Sequence, residues 1–321
     1  MSSQTAIPAL TDETLTPAKK SHGDSVFKGL STGSGVLIVV ILAAVAIFLI
    51  AQAIPAFGNG NFALGNGSNG NVLQYVGPFL FGTLYSAVLA LVIAVPVGVG
   101  IALFIALYAP RRLASGLGYI IDLLAAVPSV VFGLWGLQTL SVAMQPVLHW
   151  LNQYFGFIPL FGGRVSGTGR TMLTAVVVLA VMVLPIITSM CREVFLQVPS
   201  RQMEASLALG ATRWEMIRQV VFPYSQSGII SASMLALGRA LGETMAVAMV
   251  LSAARVVQFS ILTSTSSGTI AANIALSFPE ATGLTINLLI ATGLVLFVIT
   301  FLVNFVSRWV VARRADFSGA N

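Results

Sequence analysis

The chain has 321 residues, 57% of them hydrophobic and only 8% charged, with a formal net charge of +6. Long charge-free runs exclude an ordinary water-soluble domain, and basic residues spread through connecting segments exclude a nucleic-acid partner. What remains is a polytopic membrane protein, with membrane lipids among its partners.

A helix crosses a bilayer in about 20 mostly apolar residues at roughly 1.5 Å each, and six runs of that kind occur. Barrel strands of about 10 residues need polar positions in alternation, which these runs lack. The expected fold class is therefore an all-α integral membrane protein with six transmembrane helices. Residues 1–35 read as a polar cytoplasmic tail, too long for the short basic start of a cleaved signal, and 36–54 as a retained first transmembrane helix. Residues 55–79 form an extracytoplasmic Gly/Asn-rich linker that includes the uncharged stretch "GNGNFALGNGSNGN". Further spans follow at Leu80–Ala109, Tyr119–Met144, Thr171–Met190, Ser227–Leu251 and Thr285–Val306, and 311–321 form a cytoplasmic tail. Pro96, Pro128, Gly133 and Pro185 fall inside these runs and are read as kinks, which membrane helices tolerate when neighbours satisfy the freed backbone groups.

Between the third and fourth spans, Met144 to Gly163 sets His149, Trp150, Tyr154 and Phe155 among apolar residues, as in a membrane-interface segment. Cys191, the single cysteine, excludes an internal disulfide, and His22 and His149 lie too far apart to start a metal site. No metal or cofactor is expected on this chain.

The stretch "VPSRQMEASLALGATRWEMIRQVVFP", Val198 to Pro223, joins the fourth and fifth spans. Pro199 and Ser200 start a short helix, Gly210 fits a left-handed stop, and Thr212 with Glu215 makes a capping-box pattern for a second helix. Pro223 marks the way into the next span.

The fifth span carries Arg239 and Glu243 inside "MLALGRALGETMAVAMVL". Arg239 lies about 12 residues in, roughly 18 Å deep, where an isolated charge costs at least about 2.5 kcal/mol and usually marks a pathway. Spaced four apart, the two charges are expected to neutralise each other on one helix face. Gly238 and Gly242 form a Gly-xxx-Gly pair that would admit another helix closely. A guanidinium fork suits phosphate oxygens, with Thr244 and Ser252 as hydroxyl donors. The competing reading is an ion pair with no ligand.

Orientation follows from Lys and Arg in the loops. Lys19, Lys20, Lys28, Arg111, Arg112, Arg192, Arg201, Arg213, Arg218, Arg308, Arg313 and Arg314 fall on one side, 12 of the 16 basic residues. Arg164, Arg170 and Arg255 fall on the other. Both termini are expected in the cytoplasm of a bacterial cell.

Glu204-Ala205-Ser206, Gly210 and Pro223 resemble the "EAA…G…P" loop of permease subunits in binding-protein-dependent ABC importers, departing at Ser206, Val220 and Phe222. "LALGRALGETMAV" and "ALGATRWEMIRQVVFP" resemble the PstC type within that family, the permeases of phosphate-specific importers. The resemblance implies a type I (MetI-like) fold, with a permease core at 80–310 and a coupling loop at 198–223. It also implies ATPase coupling through Glu204, Ala205, Gly210, Arg213 and Pro223, while the mid-span charges and hydroxyl themselves mark Arg239, Glu243 and Thr244 as the candidate substrate pathway. Its implied partners are a PstA-type permease sibling, two ATP-binding subunits of the PstB type and an extracytoplasmic phosphate-binding protein. A phosphate-cradling loop needs closely spaced glycines followed by Lys, and the only lysines are Lys19, Lys20 and Lys28. The chain is therefore no ATPase of that kind, and ATP belongs to a partner. Permeation of another oxyanion such as sulfate, or secondary transport, are the alternatives; the latter would carry internal repeats that this sequence does not show.

Overall fold

The computed structural model describes residues 22–58, 62–63, 69–251 and 253–315. It divides into two units, Met1–Phe48 and Leu49–Asn321. Among the described residues, six helical stretches are long and apolar enough to cross a membrane.

The first unit holds the larger part of α1 (His22–Gly58), whose side chains there are almost all exposed. The helix thus starts well before residue 36, within the segment read as a polar tail. No proline interrupts residues 22–35, and the Ser34 hydroxyl donates back to the Leu30 carbonyl at 2.9 Å, which keeps that polar residue inside the helix. Lys19 and Lys20 lie outside the described residues.

In the second unit, two short strands, Phe62–Ala63 and Asn69–Gly70, pair antiparallel. Then α2 (Val72–Leu103) begins, earlier than the linker boundary at 79 allowed. Asn71 is its N-cap, and its backbone N–H donates to the Gln74 side chain at 3.1 Å. A π turn, Phe104–Tyr108, closes it. Next come α3 (Arg111–Ala125), α4 (Ser129–Trp135), a second π turn at Gly136–Leu140 and α5 (Ser141–Phe155). The third span is therefore Ser129–Phe155, shifted from the expected Tyr119–Met144. The reason is Pro128, which caps α4 but, having no N–H, cannot continue α3. Trp150, Tyr154 and Phe155 consequently belong to the last turns of this span.

The fourth span is α6 (Met172–Leu196). After it come α7 (Ser200–Ala208), α8 (Arg213–Met216), a π turn at Ile217–Val221, and α9 (Phe222–Leu241). A short α10 (Met245–Val250) precedes a parallel two-residue pairing of Ala253–Ala254 with Ser266–Ser267. The helices α11 (Ile270–Ser277) and α12 (Leu284–Ala315) complete the unit.

Helix α6 is the axis of this unit: 67% of its most apolar window is buried, against 28% or less for the other spans. Two rows of small side chains explain how it becomes enclosed. On α2, Ser86, Ala90, Ala94, Gly98 and Ala102 recur every four residues and are all buried. A β-carbon on Gly98 would sit 2.8 Å from Ile187 Cγ2 of α6. On α9, buried Ala232, Ala236 and Ala240 continue at a spacing of four from the half-buried Gly228, which lies against Val194. Small residues let helix backbones approach closely, so dispersion contacts hold helices together where lipid removes the hydrophobic drive. The larger Val176, Leu179, Val183 and Ile187 of α6 fill the space between the rows.

Candidate functional site

Helix α9 stops at Leu241, and Gly242, Glu243 and Thr244 form a break before α10. That break cancels the expected ion pair. Among the described residues the one salt bridge is Arg192–Glu193 at 3.4 Å. A pair spaced four apart shares a face only while the helix continues, and Glu243 lies beyond its end. Instead Glu243 is 7% exposed and its carboxylate accepts from the Ala246 N–H at 3.1 Å, capping α10.

Arg239 is exposed. Its depth follows from packing: Gly228 touches Val194 close to the α7 end of α6, and Arg239 lies roughly 16 Å farther along at about 1.5 Å per residue. That is level with the middle of the 25-residue α6. Ser231, Leu235 and Gly242 share its open face. Gly238 and Gly242 do not pack helices within this chain: a β-carbon on Gly238 would meet nothing within 4 Å. No other element of the described chain packs against Gly238, whereas glycines 98, 133, 136 and 228 are among those at which helices approach closely. Thr244 is half-buried and its hydroxyl donates to the Gly242 carbonyl at 3.2 Å, while Ser252 lies outside the described residues.

The residue that sequence reasoning missed is Arg170. Its Nη2 donates to the Met249 carbonyl at 3.0 Å, at the far end of α10, while its buried Nε has no partner. Glu243 and Arg170 thus sit at the two ends of α10, each with the sign that the helix dipole favours. Nothing in the sequence links positions 170 and 249, which are joined only by tertiary packing.

Helix α10 is seated on glycines. A β-carbon on Gly133 would fall 2.8 Å from Ala246 Cα, and one on Gly136 would fall 2.9 Å from Val250 Cγ2. Gly133→Val is expected to unseat α10, since overpacking costs about 1–3 kcal/mol. Hydrogen exchange of the 245–250 amides in the purified protein should quicken, whereas unchanged exchange would mean that this seat does not hold α10.

At the other end of α9, α7 runs from Ser200 to Ala208 with Glu204 and Ala205 exposed. Gly210 has φ +88 with no neighbour in reach of a β-carbon. The Thr212–Glu215 box closes in both directions, with Thr212 N–H to the Glu215 carboxylate at 2.7 Å and Glu215 N–H to the Thr212 hydroxyl at 3.3 Å. Leu209 is 90% exposed and Trp214 60%, an apolar tip without cover in this chain. Arg213 lies over the Tyr108 ring at 5.9 Å, tying the loop to the end of α2. Pro223 lines a groove of about 590 Å³ between α2 and α9, together with Val95, Pro96, Arg218 and Ile230. The loop residues and Arg239 thus occupy opposite ends of α9.

Comparison with known proteins places this geometry. Residues 98–316 match the family model described as binding-protein-dependent transport system inner membrane component. Phosphate transport system permease protein PstC 2 of Mycobacterium tuberculosis is 44% identical over 319 residues, covering 96% of this chain and 97% of that protein. The PstC protein of Mesorhizobium japonicum is 38% identical over 325 residues, covering 99% of each. Among solved structures, a bacterial ABC transporter involved in import of the acidic polysaccharide alginate matches the fold with a TM-score of 0.56 at 18% identity, covering 89% of this chain and 96% of that one. With six helices among the described residues long and apolar enough to cross a membrane, the chain is a multi-pass inner-membrane permease that belongs to the binding-protein-dependent transport system inner membrane components and, within them, to the PstC permeases.

Proposed function

We propose that this chain is the membrane-spanning subunit of an ATP-driven importer of inorganic phosphate, forming half of the translocation path. The observation that carries the reading is Arg239, exposed on an otherwise small or apolar face of α9 at the depth of the middle of α6. A guanidinium turned to lipid at that depth costs at least about 2.5–3.5 kcal/mol. A second protein chain and an aqueous path beside it remove that cost. The open Gly238 and Gly242 surface suits close approach by a sibling permease of the PstA type.

In this reading Arg239 meets phosphate as the anion passes the break in α9, and the half-buried Thr244 offers a hydroxyl. Broken helices at mid-depth are where transporters expose backbone and charge to substrate. Glu243 acts by holding α10 rather than by neutralising Arg239. ATP hydrolysis resides on two PstB-type subunits, which grip the α7 tip through Glu204, Ala205, Gly210 and Arg213, with Pro223 hinging the loop to α9. An extracytoplasmic binding protein delivers phosphate at the other end.

The reading sets α7 and both termini in the cytoplasm. Gln202→Cys and Thr282→Cys, both at exposed positions, should then label with a membrane-impermeant thiol reagent from opposite sides of sealed vesicles. Labelling of both from one side would overturn this orientation. For the substrate, phosphate-loaded binding protein should stimulate ATP hydrolysis by the purified four-component complex, and sulfate should not. Stimulation by sulfate alone would reassign the oxyanion.

A further inference from the structure

A polar cavity of about 460 Å³ lies away from Arg239, lined by Arg164, Val165, Gly167, Gln258, Thr263, Ser264 and Thr265. Its wall is built mainly from two segments, the connection between α5 and α6 and the loop between α10 and α11. These segments are fastened to each other: Ile261 N–H donates to the Leu160 carbonyl, Ser166 N–H to the Leu262 carbonyl, and Leu173 N–H to the Ile261 carbonyl, each at 3.0 Å. Within the loop, Gln258 N–H donates to the Ser267 hydroxyl at 3.1 Å, and that hydroxyl donates to the Val256 carbonyl at 2.6 Å. The cavity is therefore held open by hydrogen bonds its own walls complete.

The groups that face it are unspent. Among the described residues, the Arg164 guanidinium makes no ion pair or hydrogen bond, and neither do the Ser264 and Thr265 hydroxyls nor the Gln258 side-chain amide. No Asp or Glu lines the cavity. One cation, hydroxyl and amide donors, and no carboxylate form a set with positive potential and spare N–H and O–H groups, which a small oxyanion satisfies. An arginine binds two oxygens of a tetrahedral anion at once, and the hydroxyls can reach the others. A cation would meet Arg164, and an apolar ligand would strand the donors.

We infer that this cavity is a receiving site for inorganic phosphate, which holds the anion after it leaves the binding protein and before it reaches Arg239. The inference rests on the phosphate-permease reading. From Gly167 in the cavity wall the chain continues to Thr168, whose hydroxyl accepts from the Arg170 backbone N–H at 3.4 Å, and so to the arginine that caps α10. Occupancy of the cavity and the seating of α10 beside the α9 break therefore share one short segment of backbone.

The test uses the assembled importer carrying Ser264→Cys as a reporter. Cys191, the chain's single native cysteine, is buried, so mass spectrometry of the reporter peptide gives a clean readout. Inorganic phosphate at millimolar concentration is expected to slow modification of that thiol by a sulfonated, anionic thiosulfonate severalfold, while chloride does not. Adding Arg164→Gln should abolish the protection, Arg164→Lys should keep part of it, and Thr265→Val should weaken it. Protection that survives Arg164→Gln, or none by phosphate in any variant, overturns the inference. So does protection that only the docked binding protein confers, which would make the cavity a protein contact. Uptake into vesicles by the reporter importer with Arg164 and Thr265 intact separates the two levels: active phosphate uptake without protection refutes the cavity alone, and absence of uptake there refutes the permease reading with it.

Discussion

Arg239→Gln is expected to leave the subunit inserted and assembled while phosphate uptake falls by about two orders of magnitude, the scale on which loss of one preorganised charge-stabilising donor is felt. The folded state tolerates the change because Arg239 is exposed and Glu243 is already satisfied by the Ala246 N–H. No buried acid is orphaned. Arg239→Lys should retain part of the flux, since it keeps the sign of the charge but loses the planar fork. Glu243→Gln is a separate experiment: its side-chain oxygen still accepts from Ala246, and the lost dipole interaction is about 0.3–1 kcal/mol. The double variant should therefore stay as inactive as Arg239→Gln. In assembly, measured through the stability of the purified complex, the two changes should add to within about 0.5 kcal/mol. Uptake near wild type in the double variant at matched expression would make the charges a structural pair and remove Arg239 from the path.

Gly210→Val should have an equally large effect through a different route. The space around Gly210 is open, so bulk is no obstacle. The backbone is, because φ is +88 and a β-branched residue held there costs about 1–3 kcal/mol. The corner relaxes, and α7 swings out of register with the Thr212-capped α8. The variant should reach the membrane yet lose association with the ATPase, or lose the hydrolysis that loaded binding protein stimulates. Gly210→Asn should restore much of that coupling, since asparagine tolerates the left-handed region. Normal stimulated hydrolysis in the valine variant would show that the corner does not position α7.

The number and helical character of the spans were legible because each is an apolar run of sufficient length, a property independent of packing. Their limits were not. Pro128 reads as a kink by composition, yet it starts α4 and shifts the third span outward. The site suffered from the same ambiguity in glycine. The sequence reads Gly242 as half of a packing pair within a continuous span; the structure makes it the helix end, and with it the Arg239–Glu243 pair dissolves. By contrast, the Thr212–Glu215 box and the Gly210 stop depend on chemistry within a few residues, and both local geometries are present. The row from Ser86 to Ala102 was in plain view at a spacing of four, and a count of apolar residues passes over it because Ala and Gly contribute little to hydropathy. Arg170 had no signal at all, since its partner is a backbone carbonyl on another element.

The central claim, ATP-driven phosphate passage through this subunit, is tested most directly by radiolabelled phosphate uptake into right-side-out vesicles. The vesicles would carry the full importer and external binding protein, with ATP or a non-hydrolysable analogue sealed inside. Accumulation against a gradient is predicted only with hydrolysable ATP, and it should vanish in vesicles lacking this chain. Accumulation driven by an imposed proton gradient without ATP, or equal accumulation in the chain's absence, would contradict the account.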